Sequence, residues 1–255
     1  MLVGSVSGES TTERVNVPRP VVIGHRGSSA YAPENTLLSY ETAWKMKADM
    51  VELDVHSTAD GGLVCIHDKD VSRTTNGKGL VAELTLKELR SLDAGKGQKV
   101  PLLSEVLDMA RGKFGVDIEI KVPDVEKTIL KLVKERRMLG SIIFSSFIHT
   151  TLIVIRGLTS EAITAVLYEE SMDDPVTYAR DLKASAISPL FLILEPAIVR
   201  AARNAGLRVY PWTVNDGDIM AEFLNMGVDG LITNYPDVGV RAVEDYLANR
   251  TKGEH

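Results

Sequence analysis

The hydrophobic positions of this chain follow two alternating periods along most of its length. Short apolar runs, such as residues 21–24 and 50–57, have the length and alternation of β-strands. Longer stretches follow them, such as residues 34–48, in which apolar residues recur three and four positions apart, as on one face of a helix. Repeated strand–helix units of this kind predict parallel strands joined by helices.

Eight strands of this type can be placed along the chain, each followed by a helix. The predicted strands cover residues 21–24, 50–57, 115–121, 141–147, 162–168, 186–190, 207–214 and 228–234. Eight such units in a chain of 255 residues predict a closed TIM (β/α)₈ barrel of the α/β class. An open doubly wound sheet is the alternative, but no glycine-rich dinucleotide fingerprint follows the first strand.

The segment between the second strand and its helix is longer than the barrel pattern requires. It contains the apolar run 63–68, turn residues at Asn76-Gly77 and a short helix predicted to begin at Thr85. We therefore expect a small insertion at about residues 57–101, within a single barrel domain at residues 19–250. The polar residues 1–18 are expected to form a flexible N-terminal arm.

Two predicted strands carry charges on a face that a barrel would bury. Glu52 and Asp54 are two residues apart and share one side of their strand, and Asp117, Glu119 and Lys121 share one side of another. Buried unpaired carboxylates are unfavourable, so a cationic partner is expected beside them. Carboxylate oxygens suit Mg²⁺ or Ca²⁺, and a structural ion pair with Lys121 is the alternative. Three carboxylates near histidines favour a metal site.

Two histidines stand where predicted strands end. His25 lies in Gly-His-Arg-Gly and His67 in Ile-His-Asp. A single histidine is most often a packing or surface residue, but a pair beside acidic strand ends suits acid–base catalysis near neutral pH. Arg26 and Lys121 supply positive charge of the kind that binds phosphate. Trp212 is equally consistent with a core aromatic and with an apolar wall beside a ligand.

The composition and net charge limit the kinds of molecule that this protein is expected to bind. Hydrophobic residues make up 44% of the chain and charged residues 25%, as in ordinary globular proteins. The formal net charge of −6 argues against nucleic acid, because proteins that track phosphate backbones carry a basic face. No apolar stretch is long enough to span a membrane and the N-terminus lacks a signal-peptide pattern. We therefore expect a cytoplasmic protein without stable membrane insertion.

The motifs taken together resemble one enzyme family. The segments HRGSSAYAPENT, ELDVHSTADGGLVCIHD, IEIK, FSSF and WTVN occur in this order, and their combination resembles the glycerophosphodiester phosphodiesterases. The resemblance spans His25 to about Asp237. It implies a TIM barrel with an insertion after the second strand, and hydrolysis of small glycerophosphodiesters to sn-glycerol 3-phosphate and an alcohol. It also implies one divalent cation, Mg²⁺ or Ca²⁺, with Mn²⁺ as a further candidate.

Transferred to the matching positions, the resemblance implies three groups of site residues. The catalytic acid–base pair would be His25 and His67. The metal ligands would be Glu52, Asp54 and Glu119. The residues in contact with substrate would be Arg26, Asn35, Lys121 and Trp212.

Two residues depart from the family pattern, since many members carry Asp at the position of Asn234, and Pro211 is unusual before the tryptophan. Both departures bear on substrate preference rather than on the chemistry.

Two alternative functions stay open. One is a related barrel phosphodiesterase acting on another phosphodiester or a lipid, and the other is a non-catalytic metal- or ligand-binding barrel. The presence of both His25 and His67 favours an enzyme, because a binding protein needs no acid–base pair. The sequence specifies neither the oligomeric state nor which histidine is the base.

Overall fold

The computed structural model describes residues 19–252, so the arm predicted at residues 1–18 lies outside the described residues. Within this range the sheet contains nine strands. They are, in chain order, β1 (Val21–Gly24), β2 (Met50–Ser57), β3 (Leu63–Cys65), β4 (Gly115–Ile120), β5 (Ile142–Ser146), β6 (Ile163–Tyr168), β7 (Ala186–Pro189), β8 (Arg208–Val209) and β9 (Gly230–Thr233).

A helix follows every strand except β2, which is followed directly by β3. The helices are α1 (Leu37–Lys45), α2 (Leu86–Ser91), α3 (Leu103–Ala110), α4 (Glu126–Glu135), α5 (His149–Leu158), α6 (Pro175–Asp181), α7 (Pro196–Asn204), α8 (Gly217–Met226) and α9 (Pro236–Lys252). Short 3₁₀ helices occupy Val81–Glu83, Leu139–Ser141 and Phe191–Ile193. In the part of the chain described, no helix combines the length and the apolar character needed to cross a bilayer.

Eight of the strands form a nearly closed parallel barrel, which confirms the predicted fold. Their spatial order is β8-β7-β6-β5-β4-β2-β1-β9, and each neighbouring pair in this order is parallel. At the junction of β8 and β9, the Asp229 N–H donates to the Val209 carbonyl at 3.0 Å and the Ile232 N–H donates to the Pro211 carbonyl at 3.1 Å. These bonds connect the two ends of the strand order.

The alternation of residues along β2 and β4 separates the core from the barrel interior. Val51, Leu53 and Ile118 are fully buried in the apolar cluster that packs beneath α1, α3 and α4. The residues between them point to the other side of the sheet. The register of the two strands places Glu52 beside Asp117, and Asp54 two positions further along beside Glu119. The acidic residues of both strands therefore lie together inside the barrel, as the spacing predicted.

The insertion begins with a hairpin. β3 runs antiparallel to β2, with Cys65 opposite Val55, so the chain returns toward the barrel interior directly after β3. The rest of the insertion packs around its own buried apolar cluster, which contains Val64, Ile66, Val71, Val81, Leu89, Ala94 and Val100. α2 begins directly after Thr85, whose hydroxyl accepts from the Glu88 N–H at 3.3 Å. This cluster gives the residues that follow β3 a fixed position against the barrel.

Two elements are shorter than their patterns predict. α1 begins at Leu37 rather than at residue 34, because Thr36 caps the helix by accepting from the Ser39 N–H at 3.2 Å. The seventh barrel strand was predicted at residues 207–214, but β8 ends at Val209, since Pro211 has no N–H to donate. The chain still follows β7 beyond that point, because the Trp212 N–H donates to the Pro189 carbonyl at 3.0 Å.

Candidate active site

A cavity of about 300 Å³ lies at the ends of the barrel strands from which the chain leaves toward the helices. This is the end at which TIM barrels place their active sites. The residues that line the cavity are His25, Arg26, Glu52, His67, Asp117, Glu119, Ser145, Phe147, Leu167, Glu169, Trp212 and Ile232. The cavity therefore brings together predicted residues from four strands, or the segments after them, and from the insertion.

The turn after β1 directs His25 and Arg26 into this cavity. The Gly27 N–H donates to the Gly24 carbonyl at 3.0 Å, which closes the turn. Gly27 adopts a φ of 86°, a conformation that other residues rarely take, and a side chain there would collide with Ser39. A side chain on Gly24 would collide with the Gly27 carbonyl. The two glycines thus permit a turn that presents the residues between them.

His25 is held as a neutral imidazole. Burial lowers the pKa of His25 to about 4, and the neighbouring positive charge of Arg26 adds to this effect. Its Nδ1 lies 2.7 Å from the amide oxygen of Asn234, which also accepts from the Ser29 hydroxyl at 2.8 Å. Because an amide oxygen only accepts, Nδ1 carries the proton and Nε2 has a free lone pair. His25 is therefore suited to accept a proton at neutral pH.

His67 reaches the cavity from the insertion. It follows β3, and its backbone carbonyl accepts a hydrogen bond from His56 Nε2 at 3.1 Å. Its Nδ1 lies 2.6 Å from the carboxylate of Asp68, which orients the ring. The antiparallel hairpin and the Asp68 contact together bring His67 to the wall of the cavity that also contains Glu52.

Glu52, Asp54 and Glu119 form an acidic cluster with the geometry of a cation site. One oxygen from each carboxylate lies within 4.8 Å of the other two, and all three residues are buried. Glu52 Oε1 and Asp54 Oδ1 are buried without a hydrogen-bond partner. Hard oxygen donors with unused lone pairs are the ligands that Mg²⁺ and Ca²⁺ prefer. The residues present therefore fit a divalent cation.

The protonation equilibria of the cluster support the same conclusion. Burial, with repulsion from Asp54 and Glu119, raises the pKa of Glu52 well above its ordinary value. Burial and repulsion from Asp54 raise the pKa of Glu119 to about 7, although Lys121 opposes this. The pKa of Asp54 falls below its ordinary value, because Lys121 and Arg26, with smaller contributions from His67 and Asn35, together outweigh the effect of burial. The two basic side chains therefore do not compensate all three carboxylates, whereas a divalent cation would.

Both basic side chains contact the acidic cluster. Lys121 donates to Glu119 Oε1 at 2.6 Å and lies 3.4 Å from Asp54 Oδ1, so the ion pair considered from the sequence exists beside the cation site. The Arg26 side chain lies with its Nε 3.5 Å from Asp54 Oδ2 and donates to Glu34 at 2.8 Å, while its backbone N–H donates to Glu52 Oε2 at 2.8 Å. Arg26 lines the cavity. Contact of either side chain with phosphate stays a prediction.

Asn35 contacts the acidic cluster through Asp54. Its amide nitrogen donates to Asp54 Oδ2 at 2.7 Å, and its amide oxygen accepts from the Tyr40 hydroxyl at 2.8 Å. Asn35 is 3% exposed, and these contacts orient the Asp54 carboxylate. Its predicted contact with substrate is not tested by this geometry.

An apolar wall faces the charged residues across the cavity. Trp212 lies on this wall, where its ring meets Phe147 edge to face at a centroid distance of 5.6 Å. Its indole N–H donates to the Ser188 carbonyl at 2.8 Å, which fixes the ring. Leu167 and Ile232 complete the wall. Trp212 therefore lines the cavity, and its contact with a ligand stays a prediction.

Sequence reasoning did not assign Asp117, Asp68 or Arg73 to the site. Asp117 lines the cavity, and burial raises its pKa to about 7, although a hydrogen bond from the Ser145 hydroxyl at 2.6 Å opposes this. Asp117 and Glu119 lie two residues apart and therefore on the same face of their strand, which is the sequence feature that could have assigned Asp117 to the site. Asp68 follows His67 directly, which could have indicated its role. Nothing in the sequence pattern marks Arg73, whose contacts bridge distant segments.

Comparisons with known proteins agree with this geometry. The Glycerophosphoryl diester phosphodiesterase family matches residues 25–238. A glycerophosphodiester phosphodiesterase of Caldanaerobacter subterraneus is 36% identical, over 88% of this chain and 98% of its own, and one of Bacillus subtilis is 35% identical, over 96% and 94%.

Solved structures extend the similarity to the fold. A phosphodiesterase of Oleispira antarctica, solved with the product sn-glycerol-3-phosphate, has a TM-score of 0.83 and is 28% identical, covering 88% of this chain and 97% of its own. A glycerophosphodiester phosphodiesterase of Agrobacterium tumefaciens has a TM-score of 0.78 and is 32% identical, covering 86% and 98%. With its barrel, its acidic cluster and its two histidines, this chain belongs to the glycerophosphoryl diester phosphodiesterase family.

Proposed function

We propose that this protein hydrolyses small glycerophosphodiesters to sn-glycerol 3-phosphate and an alcohol, with a divalent cation as cofactor. The observation that carries the proposal is one cavity lined by His25, His67 and Arg26 and by two carboxylates of the acidic cluster. Family membership and a relative solved with sn-glycerol-3-phosphate support the substrate class. A cavity of about 300 Å³ suits a small molecule.

Glu52, Asp54 and Glu119 would hold the cation, and the buried Glu52 and Asp54 oxygens that accept no hydrogen bond support this assignment. Such a cation, when bound, supplies charge that polarises phosphoryl oxygens and offsets the negative charge of the transition state. Mg²⁺ and Ca²⁺ are the predicted ions, and Mn²⁺ is the third candidate, because all three accept oxygen donors. Asn35 and Lys121 would keep the carboxylates oriented, and both stay candidates for contact with substrate.

The protein's own groups suggest the direction of proton transfer. His25 is neutral with a free Nε2, so it would take the proton from the attacking hydroxyl. The attacking hydroxyl belongs either to water, which gives the product directly, or to the glycerol 2-position, which gives a cyclic phosphate that water then opens. His67, oriented by Asp68, would then give a proton to the leaving alcohol. Arg26 would bind the phosphate oxygens as charge develops on them. Trp212 and Phe147 would pack against the apolar edge of the glycerol group.

The decisive experiment measures sn-glycerol 3-phosphate released from glycerophosphocholine and from glycerophosphoethanolamine. The protein is first treated with a chelator, and Mg²⁺, Ca²⁺ and Mn²⁺ are then restored one at a time. Release that requires a restored cation would support both the reaction and the acidic cluster. Absence of release with every cation would contradict the proposed function and would favour another phosphodiester as substrate. A cytoplasmic location stays a prediction from the sequence.

A further inference from the structure

Arg73, on the insertion, bridges two carboxylates that belong to different parts of the site. Its Nη1 and Nη2 donate to Glu34 at 2.9 Å and 2.8 Å, in the paired geometry that guanidinium and carboxylate prefer. Its Nε and Nη2 donate to the two oxygens of Asp68, the second at 3.1 Å. Arg73 thus makes four charge-assisted hydrogen bonds to Glu34 and Asp68, which lie far from each other in the sequence.

Each of these carboxylates in turn contacts a residue of the cavity. Asp68 lies 2.6 Å from His67 Nδ1 and so sets the orientation of the imidazole. Glu34 Oε1 accepts from Arg26 Nη1 at 2.8 Å and so sets the direction of that guanidinium. Arg73 itself does not line the cavity. It therefore connects His67 and Arg26 through one carboxylate each.

The position of Arg73 is determined by the packing of the insertion. Val71, two residues earlier, is fully buried in the apolar cluster of the insertion. The Thr75 N–H and hydroxyl both donate to the Val71 carbonyl, at 3.0 Å and 2.7 Å. These bonds close a turn around Arg73. The hydrogen bonds from Arg73 hold the pKa of Asp68 well below its ordinary value, so that its carboxylate stays charged beside His67.

We propose that Arg73 is a positioning residue that sets the orientations of both His67 and Arg26, through Asp68 and Glu34. The proposal rests on the proposed function for its kinetic consequences, because the two oriented groups act on the phosphodiester. The insertion thereby does more than carry His67 into the site. It also fixes Arg26, the proposed phosphate-binding side chain of the first barrel loop.

The kinetic test compares R73A and R73K with a matched control, R90A. Arg90 lies in the same insertion and also forms a paired ion bridge, with Glu105 at 2.5 Å and 2.9 Å, but both residues lie outside the cavity lining. R73A is expected to lower kcat/KM by about 10- to 100-fold, a magnitude taken from the loss of outer-shell hydrogen-bond partners around metal ligands. R73K should recover little, because an ammonium cannot make the paired contacts. R90A should leave kcat/KM within about twofold of the parent.

Two further readouts separate positioning from general stability. Guanidinium chloride at millimolar concentration is expected to restore part of the activity of R73A and none of that of R73K, whose side chain fills the site. In the ¹H–¹⁵N spectrum, the Arg73 Nε–H signal, identified by its loss in R73K, should be protected from exchange and should shift in both E34Q and D68N.

The outcomes distinguish the two proposals. A parent enzyme that hydrolyses glycerophosphodiesters, together with an equally active and folded R73A, would overturn the role of Arg73 alone. An inactive parent would contradict the proposed function, and the Nε–H signal would then decide whether the bridge exists. Exchange as fast as that of an exposed arginine, or a signal unaffected by E34Q and D68N, would overturn the bridge.

Discussion

The two halves of the barrel mouth are built on different principles. The half formed by β1, β2, β4 and the insertion carries charged side chains, each tied to others by hydrogen bonds or ion pairs. The half formed by β5, β6 and the segment after β8 presents mainly the apolar side chains of Phe147, Leu167 and Trp212, with Ser145 and Glu169 as its polar members. Buried charges are tolerated only when they are compensated, whereas apolar groups need no partners. The first half is therefore a network whose members depend on one another, and the second is a wall that defines shape.

Removing a histidine from the charged half is expected to give the largest effect. H25A and H67A should each lower the rate of sn-glycerol 3-phosphate release by about 10²- to 10⁴-fold, since acid–base groups contribute that much. Cation binding, measured by calorimetry, should be retained in both variants, because neither histidine belongs to the acidic cluster. Either variant turning over at the parent rate would contradict the catalytic assignment.

Removing a carboxylate of the acidic cluster should weaken cation binding, and removing the cation should lower both the stability of the protein and its activity. In the chelated parent, Mg²⁺ or Ca²⁺ should raise the thermal unfolding midpoint, because a cation that binds only the folded state stabilises it. E119Q should weaken that rise and should abolish cation-dependent activity. E169Q is the matched control, since Glu169 lines the cavity outside the cluster. An equal rise in E119Q and in the parent would place the cation elsewhere.

A substitution in the wall should act on binding more than on chemistry. W212A is expected to lower kcat/KM by about tenfold or more, as the loss of a buried apolar contact predicts, mainly by raising KM. W212F keeps a ring beside Phe147 but loses the bond to the Ser188 carbonyl, and it should fall between W212A and the parent. If kcat of W212A fell as far as that of H25A, the wall would act on the chemical step as well, and the proposed difference between the two halves would be wrong.

The smallest expected effect concerns the partner of His25. N234D would place a carboxylate at Nδ1, and a negative charge there raises the pKa of His25 from its value of about 4. A base is inactive when protonated, so the acid limb of the kcat/KM profile should move to higher pH, with little change above neutrality. An acid limb that stays in place would show that another group controls it.

The local patterns on the strands predicted much of this arrangement. The parity of Glu52 and Asp54 on β2 assigns both to one face, and burial of Val51 and Leu53 on the other face confirms it. Such information lies within a few residues of the chain and follows from the geometry of a strand. The barrel could be predicted for the same reason, because each strand–helix unit carries its own period.

Contacts between distant segments could not be predicted in this way. Arg73 and Glu34 are 39 residues apart, and nothing in either segment indicates the other. β8 ends before its predicted last residue because of Pro211, and α1 begins after its predicted first residue because Thr36 caps it. In both places a single residue interrupts an otherwise regular hydrophobic pattern. These features arise from tertiary contacts and from individual hydrogen bonds, which period alone does not encode.

The hairpin of β2 and β3 has a consequence for the order of folding. His67 reaches its place through a contact with a residue 11 positions away, so closing that loop costs little conformational entropy. The contact that fixes His25 joins residues 209 positions apart and forms only when β9 closes against β1. We therefore expect His67 to be in place before His25. Catalytic activity during refolding should therefore report the final closure of the ring rather than the collapse that precedes it.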